Sequence, residues 1–151
     1  MLIEHYQWKT INQYEMKTIE ITKLDFTRLT DVIYNFQQFN EKGLNEIVYL
    51  KREIKRAHKR ESCEIGSDYV TMNSIVEITY TDLDQKMQIE LVYPKDANFK
   101  LKKVSVVSFL GSALIGQKVG NTITYNTPKG KRDIRINQII YQPEANGVYY
   151  L

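Results

Sequence analysis

A single cysteine, Cys63, is all the thiol chemistry that this chain of 151 residues carries. One cysteine excludes an internal disulfide, and the composition fits a reducing compartment. Long hydrophobic runs are missing as well, and no stretch approaches the roughly 20 residues that cross a bilayer. The start, Met1-Leu2-Ile3-Glu4-His5-Tyr6, has neither the basic residues nor the apolar core of a secretory signal. A cytoplasmic protein without a membrane partner is expected. An excess of one charge is also absent: the net charge is +3 at pH 7, which neither requires nor excludes nucleic acid. His5 and His58 lie far apart with no convergent cysteine or acidic motif, so no metal site is expected. There is no glycine-rich phosphate loop with its lysine, and phosphoryl transfer is unsupported. Cys63 has basic neighbours but no triad pattern and reads as an ordinary thiol in a linking segment. Repeats and low-complexity segments are absent. The expectation is no catalytic residue, no cofactor and no small-molecule substrate.

What is present centres on Val104 to Gly120. The β-branched residues Val104, Val106 and Val107 open it as a strand. Ser108 offers a hydroxyl to the free N–H groups of a helix start. Leu110, Leu114 and Ile115 follow at helical spacing. Gly116 suits the left-handed position that ends a helix, and Gly120-Asn121 turns the chain into a strand from Thr122 to Tyr125. A short helix with one apolar face demands a sheet to cover.

The flanking sequence supplies that sheet on one side and two helices on the other. Thr18 to Thr22 alternates as a short strand does. Asp25 is expected to cap a helix from Phe26 to about Phe39, with Leu29, Val32, Ile33 and Phe36 along one stripe. Asn40-Glu41-Lys42-Gly43 breaks it. Leu44, Ile47, Leu50, Ile54 and Ala57 recur in a heptad-like pattern, predicting a second helix from Leu44 to about Arg60. The two form an antiparallel hairpin extending only about 20–25 Å. Ser62 to Asp68, polar and containing Gly66, reads as a hinge. Beyond it come strands at Ser74 to Tyr80 and Lys86 to Tyr93, a loop at Pro94 to Asn98, and a strand at Asp133 to Tyr141. The fold class is α+β: a short antiparallel helical hairpin, then a mainly antiparallel sheet with one short helix. A flexible arm is expected at 1–17, the hairpin at 18–62 and the sheet domain at 69–151.

The second helix ends in a basic patch: Lys51, Arg52, Lys55, Arg56, Lys59 and Arg60, with His58 among them. It reads either as a solvated face placed against the helix C-terminal dipole or as a site for phosphates or an acidic partner. The solvated face is the preferred reading, and a weak nucleic-acid contact is the alternative.

Val70-Thr71-Met72-Asn73-Ser74, Leu91-Val92-Tyr93-Pro94, Ser105-Val106 through Leu114-Ile115-Gly116, Val119-Gly120 and Tyr141-Gln142-Pro143-Glu144-Ala145 occur in order and at suitable spacings. They resemble the C-terminal domain of the Gre transcript elongation factors, over about residues 69–151, and the hairpin matches in layout. The resemblance implies a domain with the fold of FK506-binding proteins carrying a coiled-coil hairpin, and RNA polymerase as the partner. Gre-like domains dock on the rim of the polymerase secondary channel and point the hairpin toward the active site. Their docking surface includes the turn entering the short helix, commonly an acidic or polar residue followed by Ser-Pro. Here that turn is Val107-Ser108-Phe109, which keeps the serine and replaces the proline. The contact expected from the resemblance therefore comprises Val107, Ser108 and Phe109, with the adjacent Asp96, Ala97 and Asn98.

Cleavage-stimulating Gre factors hold acidic residues at the hairpin tip, because a second metal ion needs additional carboxylate oxygens. This tip offers Glu41 beside Lys42, and Glu46 only in the next helix. A monomeric, non-enzymatic regulator that modulates or competes with Gre-type factors is the reading. A cleavage-stimulating factor is the alternative.

Overall fold

The computed structural model describes residues 17–39 and 44–150. A short strand β1 (Glu20–Thr22) leads into α1 (Lys23–Phe39), then α2 (Leu44–Arg56) and a second short strand β2 (His58–Arg60). The remainder builds β3 (Ile75–Tyr80), β4 (Gln85–Val92), β5 (Lys103–Ser105), α3 (Phe109–Leu114), β6 (Thr122–Thr127) and β7 (Gly130–Tyr141). The expected arm at 1–16 lies outside the described residues, as does the hairpin tip with Glu41 and Lys42. Among the described residues no helix is long and apolar enough to cross a membrane.

The five-stranded sheet runs β5-β4-β3-β7-β6. Its pairs are antiparallel except β4 with β5, where Glu90, Leu91 and Val92 face Lys103, Val104 and Ser105 in parallel register. Alternation puts Val76 and Ile78 of β3, Ile89 and Leu91 of β4, and Ile134 and Ile136 of β7 on the buried face. The register between β3 and β7 shifts at Ile75/Val76 and at Glu77/Ile78. Such irregularities bend a strand and increase its twist.

The hairpin helices use the stripes that their spacing predicts. Leu29 and Ile33 of α1 and Ile47, Leu50 and Ile54 of α2 are buried and join one continuous core with the sheet and with Leu114 of α3. Each fully buried Leu or Ile contributes about 1.5–3 kcal/mol.

Two boundaries differ from expectation. Asp25 does not cap α1. Thr22 does: its Oγ1 accepts from the Asp25 backbone N–H at 2.9 Å, and the helix begins at Lys23. Asp25 is buried instead, because its carboxylate serves a backbone N–H from another part of the chain. The second helix ends at Arg56 rather than Arg60, because residues 58–60 leave it to pair with β1. That pairing is parallel, Glu20 with His58 through Thr22 with Arg60. Parallel neighbours need a crossover, and the α1–α2 hairpin is that crossover.

The expected hinge at Ser62 to Asp68 is fastened down. Ile65 is buried within it, and Gln142 Nε2 donates to the Gly66 carbonyl at 2.9 Å and to the Tyr69 carbonyl at 2.7 Å.

Candidate docking surface

The turn into α3 is built around Ser108. Its Oγ accepts from the Gly111 backbone N–H at 3.0 Å and donates to the Ser105 carbonyl at 2.6 Å. The cap expected at Ser108 is therefore present. Gly111 lets the helix approach the end of β5: a Cβ there would stand 2.0 Å from the Ser105 carbonyl oxygen. Gly116 ends the helix region at φ +78°, where its carbonyl accepts from the Glu20 N–H at 3.0 Å. Val107 is buried at 8 % exposure. Phe109 is half-buried and packs against the core. Ser108 is half-exposed at the surface of this turn.

The loop after β4 reaches the same place. Val92 and Ser105 are register partners, so β4 and β5 end side by side. The 3-10 turn Pro94–Asp96 follows one and Val107 to Phe109 follows the other, and the 3-10 turn packs on β5. Asp96, Ala97 and Asn98 are exposed. The structure thus places both candidate segments against β5: Asn98 pairs with Lys103 at its start, and Val107 to Phe109 follow its end.

The basic patch is not one face. Lys51, Arg52, Lys55 and Arg56 belong to α2, whereas Lys59 and Arg60 lie on β2. Arg56 donates Nε and Nη2 to the buried Glu53 carboxylate at 3.1 and 2.7 Å, and Nη1 to the Lys17 carbonyl at 2.7 Å. Arg60 Nη2 donates to Glu20 Oε1 at 3.1 Å. Lys59 Nζ donates to the carbonyls of Lys55 and Ala57 and stands over the Phe26 ring. Arg52 stacks over Tyr49. Lys51 and Lys55 are exposed. Much of the charge is thus spent within the fold.

Beside the end of β4 lies a polar cluster that the residue patterns did not reveal. Asp25 Oδ2 accepts from the Met72 N–H at 3.1 Å. Thr71 Oγ1 shares a hydrogen bond with Ser74 Oγ at 2.9 Å and donates to Glu144 Oε2 at 2.8 Å. Burial pushes the Asp25 carboxyl up to about 7, and the nearby Glu144 charge adds to the shift. Burial also raises Glu144 and the Tyr93 hydroxyl. A cleft of about 790 Å³ opens beside this cluster, lined by Arg28, Phe36, Asn73, Tyr93 and Asp96 among others. Among the described residues, no group of three or more His, Cys, Asp or Glu is placed to hold a metal ion.

The profile of the family described as "Transcription elongation factor, GreA/GreB, C-term" matches residues 65–141. The regulator of nucleoside diphosphate kinase of Escherichia coli K12 is 33 % identical over 135 residues, spanning 89 % of this chain and 97 % of that one. The transcription elongation factor GreA of Clostridium novyi is 30 % identical over 133 residues, covering 87 % and 84 % respectively. A solved structure, a prokaryotic transcription elongation factor GreA/GreB from Nitrosomonas europaea, superposes with a TM-score of 0.65 at 31 % identity, covering 83 % of this chain and 99 % of that one. Strand order, capped helix and hairpin thus accompany a match that spans 84 % or more of each relative named above, and the chain belongs to the GreA/GreB family as a transcription-associated regulator.

Proposed function

We propose that this protein is a non-enzymatic regulator that binds RNA polymerase near the secondary channel and modulates or competes with Gre-type elongation factors. One observation carries the reading: in a chain of this family, Asp96 to Asn98 and Val107 to Phe109 both pack around the short outer strand β5, Asn98 pairing with Lys103 at its start and Ser108 bonding to Ser105 at its end. The backbone of that strand is occupied by these bonds, so a contact here is made by side chains, among which Asp96 and Asn98 are exposed. The functional division is an arm at 1–17, a coiled-coil hairpin at 18–62 and a domain at 69–151 of the FK506-binding type. In this reading the hairpin occupies the channel and excludes a competing hairpin. Glu41 stands beside Lys42 at its tip, a poor holder for a cation. The protein acts as a monomer, with any nucleic-acid contact through the basic patch secondary.

The test is binding to purified core RNA polymerase, followed by competition with a Gre factor. Asp96 is exposed, and its backbone N–H bonds to the Tyr93 carbonyl at 2.9 Å irrespective of the side chain. Asp96→Lys therefore probes the contact without unfolding the loop. The expected result is binding by the parent chain, displacement of the Gre factor and weaker binding by Asp96→Lys. A parent chain that binds no polymerase overturns the reading.

A further inference from the structure

The loop that carries Asp96 to Asn98 continues into the turn Phe99-Lys100-Leu101-Lys102, and this turn is closed by its own hydrogen bonds. Asn98 and Lys103 pair through two backbone hydrogen bonds of 3.0 and 2.9 Å. The Lys102 N–H donates to the Phe99 carbonyl at 3.1 Å, and the Leu101 N–H donates to Asn98 Oδ1 at 3.2 Å. The Lys102 carbonyl accepts from the Glu90 N–H at 3.0 Å, which ties the turn to β4. Lys102 itself is held at φ +56°, a conformation that costs a non-glycine residue energy. This ordered turn presents two large apolar side chains to water. Phe99 is 98 % exposed and Leu101 is 64 % exposed. Beside them lies a recess of about 420 Å³, lined by Ile75, Gln88, Ile89, Glu90, Leu101 and Lys102.

We infer that the Phe99–Leu101 knuckle is the apolar anchor of the polymerase contact, inserting into an apolar seat rimmed by carboxylates on the enzyme. The inference rests on the polymerase reading above and extends that surface along the β5 edge. An aromatic ring held out by a fixed turn binds at low entropic cost, because no loop must be ordered on contact. Phenylalanine is among the residues enriched at protein interfaces relative to the rest of the surface. The charge of the seat follows from the charge of the knuckle. Between Ala97 and Val104 there are three lysines and no acidic residue, and Lys100 and Lys102 are exposed. Lys103 is partly neutralised by Glu90 at 3.6 Å. Nucleic acid fits less well, since Leu101 offers no face for base stacking and Phe99 alone offers one ring.

The test compares three chains against purified core polymerase: the parent, Phe99→Ser and the double variant Lys100→Glu/Lys102→Asn. Asparagine at 102 tolerates the left-handed backbone. The expected outcome is polymerase binding at least tenfold weaker for Phe99→Ser with an unchanged melting temperature. The double variant is expected to weaken binding with a shallower salt dependence. Equal binding by the parent and Phe99→Ser overturns the anchor and leaves the polymerase reading standing. Failure of the parent to bind removes both. A single-stranded RNA 12-mer bound more tightly than polymerase, and lost in Phe99→Ser, assigns the knuckle to nucleic acid instead. A dimer in sedimentation that Phe99→Ser dissolves assigns it to a second copy and likewise overturns the inference.

Discussion

Asp25 and Met72 are joined across the junction of hairpin and sheet: the Met72 backbone N–H donates to Asp25 Oδ2 at 3.1 Å, 47 positions apart in sequence. The carboxylate ties the first turn of α1 to the segment that enters β3, and only 3 % of Asp25 is exposed. A buried carboxylate is an expensive fastener, and its charge state controls how expensive.

Burial raises the Asp25 carboxyl to about 7; the Met72 N–H, Thr22 and Arg28 oppose the shift, and Glu144 reinforces it. The folded chain therefore holds a proton that the unfolded chain releases near pH 4. Between about pH 4 and about pH 7 the folded state binds more protons, so stability falls as pH rises through that window. Glu144, also raised by burial, contributes in the same direction. Asp25→Asn keeps an oxygen for the Met72 N–H and removes the charge. Its melting temperature should exceed that of the parent at pH 8, and its pH profile should be flatter. An unchanged slope in thermal melts from pH 4 to pH 8 would refute this assignment.

Gly111→Ala should be destabilising by about 1–3 kcal/mol or more, since overpacking at a rigid contact has few ways to relax. The added Cβ would meet the Ser105 carbonyl oxygen at 2.0 Å and the Val106 Cα at 2.9 Å, both backbone atoms. Urea melts of the two chains give the difference. A variant as stable as the parent would mean that α3 lifts freely from β5.

Phe109 and Phe99 should separate cleanly under substitution. Phe109 is half-buried against the core, so Phe109→Ala is expected to lose about 2 kcal/mol, below the 3–5 kcal/mol of a fully buried ring. Phe99→Ala should change stability by no more than about 0.5 kcal/mol. Thermal melts in parallel decide it; equal losses at the two positions would contradict their different burial.

Transcript cleavage should be absent. Stalled polymerase complexes incubated with the protein and magnesium should give no shortened RNA, because Glu41 has no second acid within its turn. Robust cleavage that disappears in Glu41→Ala would replace the regulator by a cleavage factor.

Much of the fold was legible because its signals are local. The stripes of α1 and α2, the Ser108 cap, the Gly116 terminus and the alternation in β3, β4 and β7 are each visible within one short window. What escaped depends on distant partners. Residues 58–60 continue a helical pattern until Glu20 to Thr22, nearly forty positions earlier, claim their backbone. Asp25 looks like a helix cap until the Met72 N–H arrives, and Ser62 to Asp68 looks like a loose joint until Gln142 closes on it. The candidate site divides the same way. The serine turn was readable from its motif, whereas the outward Phe99 was hidden, because composition cannot tell a phenylalanine held in water from one in the core.

The parallel pairing of β1 with β2 gives the hairpin a clamped root. The chain enters and leaves it through adjacent strands, and β1 is further bonded to Gly116 at the end of α3. A load on the far end of the hairpin cannot be dissipated by swivelling at a single strand. It is shared by both strands and, through the Glu20–Gly116 hydrogen bond, by the segment that follows α3.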